Sequence, residues 1–459
     1  MTGSAAGMHL AIVDHSLRDG GGHHYEYDSA IAAAAAERGM TVTVLANSTY
    51  DAPEQSMALA GTVLPWFRQS FYEMAEGGAL RRLVYPLLSA LPPALARSVH
   101  LALRRIWDQR RRNPLRAAAN GFGVDMMAAI DTRRLGAGDH VLVHTLNLDD
   151  LQSVAAALID PSLDPARLPA IHLVLRRTVA EMAAGRPQGQ RPGDVLNRLA
   201  AAGLGAWPIR IWSDTTELAA DYADLSPLPV GVLPIAFRQD MLLAALADHA
   251  ARTLAAESGA DRPVTIGYLG NARLEKGFQY LPAMVDAVLA HPRHGRRVRF
   301  VVQCGLNIEG GEPGILAARR HLAGLPDHRV QLVDGVPDAA AYYRLLADLD
   351  IVLLPYEAAS YRTRSSGILA QALAAGCPVL VPAGTWMAGQ IDQYRGRCFD
   401  DSRQLSGILI EMLDDLPSLS AQAADAAPAW RRRHAPAQFI DLLVNSVEAE
   451  ARTDPGCRD

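Results

Sequence analysis

The fold is decided near the middle of the chain, where residues 264–270 read VTIGYLG and residues 271–278 continue NARLEKGF. A short β-branched and apolar run that ends in glycine predicts a buried strand followed by a tight turn. A similar arrangement occurs near the start, where residues 9–14 read HLAIVD and residues 19–24 read DGGGHH. Strand, turn and helix repeated at two places in one chain predict two doubly wound sheets.

The rest of the chain extends both patterns. An Ala-rich helix is predicted from roughly Glu26 to Arg38, and Gly39 would end it. Further strands are predicted at 41–45, 140–144, 170–175, 209–212 and 230–234, and then at 298–303, 330–333, 351–354 and 379–381. We therefore expect an α/β protein with two Rossmann-like parallel sheets that face each other across a cleft.

The predicted domain organisation follows from these patterns. Residues 1–238 form the first Rossmann-like domain, 239–262 a helical linker and 263–425 the second domain. In the remainder, 426–459, a helix is predicted from Trp430 to Glu448, after Pro428, with a tail behind it.

Composition excludes several classes of protein. The chain has 459 residues, of which 49% are hydrophobic and 20% charged, with a formal net charge of −5. A disordered chain would be less apolar, and a dedicated nucleic-acid binder would be basic. The N-terminus lacks a signal-peptide pattern, no spanning apolar run occurs, and the four cysteines are scattered, so we expect a reduced, cytoplasmic chain.

One count points to a particular side chain. Of the 44 basic residues only Lys276 is a lysine. Either it survived by chance in an arginine-biased sequence, or its site needs a compact ammonium that a guanidinium cannot replace.

Polar side chains gather where predicted strands end, which is where ligands bind in such sheets. Each is open to an ordinary reading as a solvated strand-end group, but together they predict a site. These residues are His144, Arg176, Arg177, Asp214, Asn271, Arg273, Lys276, Tyr356 and Glu357.

The densest cluster is 361–376, where Ser365 or Ser366 would cap a helix that starts near Gly367. The free N–H groups at such a start favour an anion, and Arg364 lies just before it. The alternatives are a plain capped helix and a diphosphate site that uses fixed cations instead of a metal.

Two metal-like spacings are discounted. His291 and His294 lie in a basic turn, and Asp348 and Asp350 precede a strand at the end of the sheet away from the cleft. We therefore predict no metal ligands and no cofactor. A P-loop is absent, and the first glycine turn does not follow the dehydrogenase pattern.

The stretch 269–278 resembles the G-R-…-E-K-G segment of family-four glycosyltransferases, which have the GT-B fold and retain the configuration of the sugar. The resemblance spans most of the chain and is best over 264–385. It implies a nucleoside-diphosphate sugar as donor, with UDP or GDP, and a first domain that binds the acceptor. It further implies that Lys276 grips the donor diphosphate, that Gly21, Gly22 and His144 contact the sugar, and that the last helix crosses back onto the first domain.

The sequence departs from the family pattern at three positions. Asn271 stands where the family has an arginine, and Arg273 would replace it. Thr363 and Gln371 stand where the family has two glutamates. Gln371 would still hydrogen-bond a ribose hydroxyl, but Thr363 cannot present a carboxylate to the sugar, so the stereochemical course is open.

A basic insertion is predicted at about 62–135. Within 81–116 there are nine arginines and one acid, Asp108, interleaved with apolar residues. It would either lie on anionic lipid or pack on its own domain as a helical flap. Nucleic-acid contact is the weaker option, because only Tyr85 and Trp107 could stack on bases.

These observations predict a metal-independent glycosyltransferase of the hexosyltransferase type. It would move a sugar to a hydroxyl of a saccharide or lipid-linked acceptor, in cell-envelope or exopolysaccharide synthesis at the inner face of the membrane. The alternative is a non-catalytic protein of the same fold that binds a nucleotide sugar or acts as a scaffold.

Overall fold

The computed structural model describes residues 7–51, 60–68, 121–204, 208–255, 262–306, 311–391 and 395–451. They fall into two compact units. The first contains the described residues up to Arg238 and those from His434 onward, and the second contains Gln239–Arg433. The arginine-rich stretch 81–116, predicted to touch a membrane or its own domain, lies outside the described residues.

The first unit contains a parallel seven-stranded sheet in the order β3-β2-β1-β4-β5-β6-β7. Its strands are β1 (His9–Asp14), β2 (Thr41–Asn47), β3 (Thr62–Phe67), β4 (His140–Val143), β5 (Ala170–Val174), β6 (Ile209–Ser213) and β7 (Val230–Val232). Its helices before residue 239 are α1 (Gly22–Glu37), α2 (Phe122–Thr132), α3 (Leu148–Leu158), α4 (Val179–Ala183), α5 (Pro192–Ala201) and α6 (Thr216–Ala223).

Both faces of this sheet are covered, as its apolar strands predict. Alternate residues of a strand point to opposite faces. In β1, Ala11 and Val13 belong to one apolar cluster with residues of α2 and α3, whereas Leu10 and Ile12 belong to another with residues of α1. A strand that is buried on both sides needs a continuous apolar run, which is what the sequence of β1 supplies.

The second unit contains a parallel six-stranded sheet in the order β10-β9-β8-β11-β12-β13. Its strands are β8 (Val264–Tyr268), β9 (Val298–Gln303), β10 (Val330–Val333), β11 (Ile351–Leu353), β12 (Val379–Pro382) and β13 (Gly396–Phe399). Its helices are α7 (Gln239–Ala255), α8 (Leu281–Ala290), α9 (Pro313–Ala323), α10 (Ala339–Ala347), α11 (Ala358–Tyr361), α12 (Gly367–Ala375), α13 (Trp386–Gln390), α14 (Leu405–Asp414) and α15 (Leu416–Arg433). The predicted fold class, α/β with two Rossmann-like parallel sheets, is confirmed.

Strand order locates the candidate sites. In the first sheet β1 lies between β2 and β4, and in the second β8 lies between β9 and β11. The chain therefore leaves these central strands in opposite directions along the sheet, and ligands bind at such reversals beyond the carboxyl ends of the strands. The loops after β1 and β4, and those after β8 and β11, are at these positions.

The C-terminal segment differs from the prediction of one helix from Trp430 to Glu448. Pro428 lies inside α15, and a second helix, α16 (Pro436–Ala451), packs against α1 within the first unit. Proline removes the hydrogen bond to the carbonyl four residues earlier, here that of Ala424. Pro428 and Ala424 are both exposed, so water can solvate the freed carbonyl and the helix continues.

The two ends of the predicted insertion at about 62–135 also differ from the prediction. Residues 62–67 form the edge strand β3, and 122–132 form α2, which packs in the core. Pro65 lies within β3, and proline is tolerated there because an edge strand leaves one row of N–H groups unpaired. That proline obscured the strand in the sequence.

None of the described helices is long and apolar enough to cross a lipid bilayer.

Candidate functional site

The turn after β8 is built around two glycines. Gly270 and Gly277 have φ angles of +98° and +72°, which side-chain-bearing residues rarely adopt. A Cβ atom on Gly277 would lie 1.8 Å from the carbonyl oxygen of Pro355, so the two loops touch through their backbones. The close approach of the loops after β8 and β11 therefore requires glycine and brings Lys276 beside Tyr356.

Lys276 lies next to the first turn of α12. The ammonium nitrogen is 5.6 Å from the ring centroid of Tyr356. A Cβ atom on Gly270 would lie 3.0 Å from that nitrogen and 2.8 Å from Cδ1 of Ile368, the second residue of α12. The structure thus brings together the lone lysine, the glycine turn and the helix start that were singled out separately in the sequence.

The helix start itself can receive an anion. Ser366 is the capping residue, and its hydroxyl oxygen accepts a hydrogen bond of 3.2 Å from the backbone N–H of Leu369. The N–H groups of the first turn have no partner within the helix, so those at Gly367 and Ile368 favour negative charge. Arg364 lies two residues before the cap, with its guanidinium carbon 4.7 Å from the ring centroid of Tyr361.

The charge of Lys276 is poised near neutral pH. Burial lowers the pKa of its ammonium to about 7, and the nearby guanidinium groups of Arg273 and Arg364 act in the same direction. The carboxylate of Glu275 opposes them and raises the pKa. A diphosphate in this place would add negative charge and restore the ammonium form.

Other predicted residues of this unit have partners of their own. Arg273 Nη1 lies 3.4 Å from Oε1 of Glu275, which follows in the same turn. The side chain of Gln371 is buried, and its Oε1 accepts a 2.6 Å hydrogen bond from the hydroxyl of Tyr342. Asn271 begins the turn, and its backbone carbonyl accepts a 3.4 Å hydrogen bond from the hydroxyl of Tyr268.

In the first unit, the predicted glycine turn opens α1. Gly21 is the capping residue, its N–H donates to Oδ1 of Asp19 at 2.9 Å, and Gly22 begins the helix with φ +73°. The helix thus starts four residues earlier than Glu26, where the prediction placed it. Two consecutive glycines leave the backbone of this helix start uncovered by side chains.

His144 follows β4 and is buried in a cluster of acidic and imidazole groups. Its Nε2 lies 2.7 Å from Oδ1 of Asp28 and 3.4 Å from Oδ2 of Asp14. His24 Nδ1 lies 2.6 Å from the same Oδ2 of Asp14. Burial lowers the pKa of His144 to about 4, although the Asp14 carboxylate opposes this. The ring that was expected to touch a sugar therefore faces two aspartates.

The two aspartates of this cluster have opposite pKa shifts. Burial alone would raise the pKa of Asp14, but His24 and His144 outweigh it and hold the pKa below its usual value. For Asp28, burial and then the neighbouring Asp14 carboxylate raise the pKa well above its usual value. Sequence reasoning missed Asp14, His24 and Asp28. The available signals were an aspartate at the end of β1 and a His–Asp pair four residues apart on an Ala-rich helix.

Arg176 and Arg177, which follow β5, have different contacts. The guanidinium carbon of Arg176 lies 4.1 Å above the ring centroid of Tyr27, and its Nε is 3.7 Å from Oδ2 of Asp214. The backbone carbonyl of Arg177 accepts a hydrogen bond from Tyr222. Only Arg176 thus approaches the other candidate residues, because Tyr27 also packs against His144 with ring centroids 4.7 Å apart.

The metal-like spacings discounted in the sequence have structural partners. Asp348 pairs with His249 and Arg252, and Asp350 accepts a hydrogen bond from the N–H of Thr265. The ring of His294 pairs with Asp414, at an exposed position. Neither spacing assembles ligands around one point among the residues that the structure describes.

The sequence matches no protein-family model and no curated protein. Solved structures, in contrast, are similar over nearly the whole chain. Anabaena Alr3699/HepE in complex with UDP-glucose is 12% identical with a TM-score of 0.58, covering 96% of this chain and 100% of that one. Sucrose-phosphate synthase from Thermosynechococcus elongatus is 14% identical with a TM-score of 0.59, covering 96% and 99%.

A third structure is WaaG, a glycosyltransferase involved in lipopolysaccharide biosynthesis, which is 14% identical with a TM-score of 0.54 and covers 95% of this chain and 99% of that one. The chain has the GT-B glycosyltransferase fold. It is structurally similar to family-four enzymes at low sequence identity, as the E-K-G segment predicted.

Proposed function

We propose that this GT-B protein is a glycosyltransferase that uses a nucleoside-diphosphate sugar. One observation carries the proposal: the only lysine of the chain, Lys276, lies between the Gly270 turn and the first turn of α12. A compact cation beside uncovered backbone N–H groups matches the charge and size of a diphosphate. The UDP-glucose in the HepE structure supports the same class of ligand.

The proposed chemistry follows from these charges. The bond between the anomeric carbon and the diphosphate breaks with its electron pair moving to the diphosphate, while an acceptor hydroxyl bonds to that carbon and gives its proton to the departing diphosphate. Lys276, Arg273 and Arg364 stabilise the charge on the departing diphosphate, so no metal is needed there. The N–H groups after Ser365 and Ser366, at Gly367 and Ile368, contribute in the same way.

The remaining predicted residues have supporting roles in this proposal. In the second unit, Gln371 orients the ribose, and Asn271 and Tyr356 line the donor site. In the first unit, the Gly21–Gly22 turn and Arg176 serve the sugar and the acceptor, whereas the buried ring of His144 faces Asp28 and Asp14. Fixed dipoles and charges stabilise the transition state most when they are already in place before the reaction.

The finer proposal concerns substrate and place in the cell. We propose transfer of a hexose from UDP or GDP to a saccharide or lipid-linked hydroxyl, for cell-envelope or exopolysaccharide synthesis at the cytoplasmic face of the membrane. The similarity to WaaG, which acts in lipopolysaccharide biosynthesis, supports this class of acceptor.

Substitution of Lys276 tests the proposal. Hydrolysis of UDP-glucose and GDP-mannose is measured for the wild type, Lys276→Ala and Lys276→Arg. Loss of one charge aimed at the transition state costs about 3 kcal/mol, so Lys276→Ala should lower turnover by ~100-fold or more. The matched control is Arg403→Ala, which removes a cation that is 88% exposed and should leave turnover unchanged. Wild-type turnover in Lys276→Ala contradicts the assignment.

The alternative is a non-catalytic protein of the same fold that binds a nucleotide sugar or a partner. Thr363 and Gln371, in place of two glutamates, favour it. Calorimetry with UDP and GDP followed by the hydrolysis and transfer assays separates the two functions. Binding that depends on Lys276 without turnover on water or on any saccharide or lipid-linked acceptor tested would favour the non-catalytic protein.

A further inference from the structure

The buried polar cluster of the first unit has a geometry that the proposed transfer does not use. We call Asp14, His24, Asp28 and His144 the Asp14–His144 cluster. Its members come from the carboxyl ends of β1 and β4 and from the first two turns of α1. The side chains of Asp14 and Asp28 have no exposed surface, and that of His144 is 1% exposed.

The Nδ1 atom of His144, on the side of the ring away from Asp28, also has a polar neighbour. Nδ1 lies 3.1 Å from the hydroxyl oxygen of Thr145, within reach of a hydrogen bond in which the ring donates. A neutral ring that donates from Nδ1 presents a lone pair at Nε2. In that tautomer the lone pair faces Oδ1 of Asp28 at 2.7 Å and Oδ2 of Asp14 at 3.4 Å, which are also electron-rich.

The contacts at this point are close without being good hydrogen bonds. Nε2 of His144 and both carboxylate oxygens of Asp28 lack a hydrogen bond of normal geometry, although all three atoms are buried. Single ligand atoms of Asp14, Asp28 and His144 all lie within 4.8 Å of one another. Three buried polar atoms that converge on one point are balanced either by a proton shared between the two carboxyl groups or by a positive ion between them.

Positive charge at this point is not supplied by arginine or lysine. Within the described ranges, neither Asp14 nor Asp28 forms an ion pair with such a side chain. Arg176 lies near the cluster, but its guanidinium stacks on the ring of Tyr27 and its Nε faces Asp214. His24 Nδ1 lies 2.6 Å from Oδ2 of Asp14, and its ring centroid lies 6.3 Å from that of His144.

We propose that Asp14, Asp28 and His144 bind a divalent transition-metal ion. Mixed carboxylate and imidazole ligands suit Zn²⁺ or Mn²⁺, whereas Ca²⁺ takes six to eight oxygen ligands. With three protein ligands, a fourth position is left for water. The ion is distinct from the cations offered to the diphosphate, which are side chains of the second unit.

The surrounding groups complete such a site. Metal-bound histidine usually donates its other N–H to a neighbouring oxygen, and the Thr145 hydroxyl is in that place. Ligand carboxylates are themselves hydrogen-bonded, and Oδ1 of Asp14 accepts the N–H of Ser16 at 2.9 Å while Oδ2 contacts His24. The ion would therefore tie β1 and β4 to the start of α1, next to the Gly21–Gly22 turn.

The test is metal binding by the full-length chain. After treatment with EDTA and dialysis, the protein is titrated with Zn²⁺, Mn²⁺ and Co²⁺, and with Ca²⁺ for comparison. Metal content is measured by mass spectrometry, and Co²⁺ is followed by its visible absorption. We expect about one transition-metal ion per chain, with a rise in Tm, and no such binding of Ca²⁺.

Three variants locate the ion. Asp28→Asn keeps the shape of a ligand but removes its charge, and should weaken binding by ~100-fold or more. Thr145→Val removes only the supporting hydroxyl and should weaken binding by about 10-fold. The matched control, Asp348→Asn, changes one of the aspartates of the discounted spacing and should bind as the wild type does.

Each outcome of these measurements either supports or overturns the proposed metal site. Binding that is lost in Asp28→Asn and kept in Asp348→Asn supports the site. If Asp28→Asn does not fold, the effect of Thr145→Val and the Co²⁺ spectrum of the wild type give the answer. A wild-type chain that binds no transition metal at micromolar concentration, or that binds it equally well without Asp28, overturns the proposal and leaves a shared proton between the two aspartates.

Discussion

Donor binding should depend on pH through one side chain. In the free protein, burial and two guanidinium groups lower the pKa of Lys276 to about 7. In the complex, two phosphates beside the ammonium should raise the pKa far enough for the ammonium form to persist at about pH 8. The ammonium form binds the diphosphate, so affinity is highest below the pKa of the free protein and falls as the pH rises above it.

The size of the effect follows from the two protonation equilibria. At about pH 6 the free protein is ~90% protonated at Lys276, whereas at about pH 8 it is ~10% protonated. Donor affinity should therefore fall about tenfold between these values, or about 1.4 kcal/mol. At about pH 8, binding should take up close to one proton, ~0.9 per donor.

Calorimetry with an intact sugar nucleotide measures both quantities. UDP-glucose and GDP-mannose carry a diphosphate diester, which does not titrate in this range, whereas the terminal phosphate of UDP does. Binding heats in two buffers of different ionisation enthalpy give the number of protons taken up. Lys276→Arg is the matched control, because a guanidinium stays charged throughout, so the donor affinity that this variant retains should not change with pH.

Two results would refute the reasoning. The first is donor binding without proton uptake at about pH 8, since that requires a lysine that is either charged or irrelevant in both states. The second is the same pH dependence in Lys276→Arg as in the wild type, since another group would then carry it. A failure of both sugar nucleotides to bind at any pH would instead contradict the proposed function.

Three further expectations follow from the same unit. Gly277→Ala should destabilise the protein by about 2–4 kcal/mol in denaturant unfolding, because the new Cβ would overlap the carbonyl of Pro355 at a positive φ. The control is Gly367→Ala, whose new Cβ would have no atom within 4 Å, and its free energy of unfolding should stay within about 0.5 kcal/mol of the wild type. Ser366→Ala should cost about 1 kcal/mol in the same measurement, because the cap of α12 is lost, and an unchanged stability would deny the capping role. An amine-acylating reagent should modify Lys276 at neutral pH, since about half of an amine with a pKa of about 7 is uncharged and nucleophilic there. A bound sugar nucleotide should protect Lys276, and peptide mass spectrometry measures the labelling. Equal labelling with and without the nucleotide would place the donor elsewhere.

The sequence was sufficient for the sheets because each central strand carries its own signal. A strand such as β8 is apolar along its whole length and ends in glycine, so strand, turn and burial on both faces follow from one short run. β3 lacked that signal, because Pro65 interrupts it at the edge of the sheet. Proline also misled the prediction of the last helices. We expected a helix to begin after Pro428, but Pro428 lies inside α15, where exposed neighbours allow it.

The two candidate sites were not equally legible in the sequence. Lys276, Gly277 and the cap at Ser366 lie in short stretches with recognisable local patterns, so their proximity could be expected from strand order alone. Asp14, Asp28 and His144 lie 14 and 116 residues apart along the chain, as their numbers show, and no local pattern links them. Only the parallel pairing of β1 with β4, and the packing of α1 on them, brings their side chains to one point.

One departure from the family-four pattern, at position 371, bears on the charge around Lys276. Glu275 is the one carboxylate whose charge supports the ammonium, against the two guanidinium groups of Arg273 and Arg364. At position 371 the family would place a glutamate on the helix that begins beside Lys276, but here Gln371 is neutral and bonded to Tyr342. Burial, and after it this excess of positive charge, hold Lys276 about half charged near neutral pH until an anion arrives. The donor itself must then supply the missing negative charge, which is why donor binding and proton uptake should occur together.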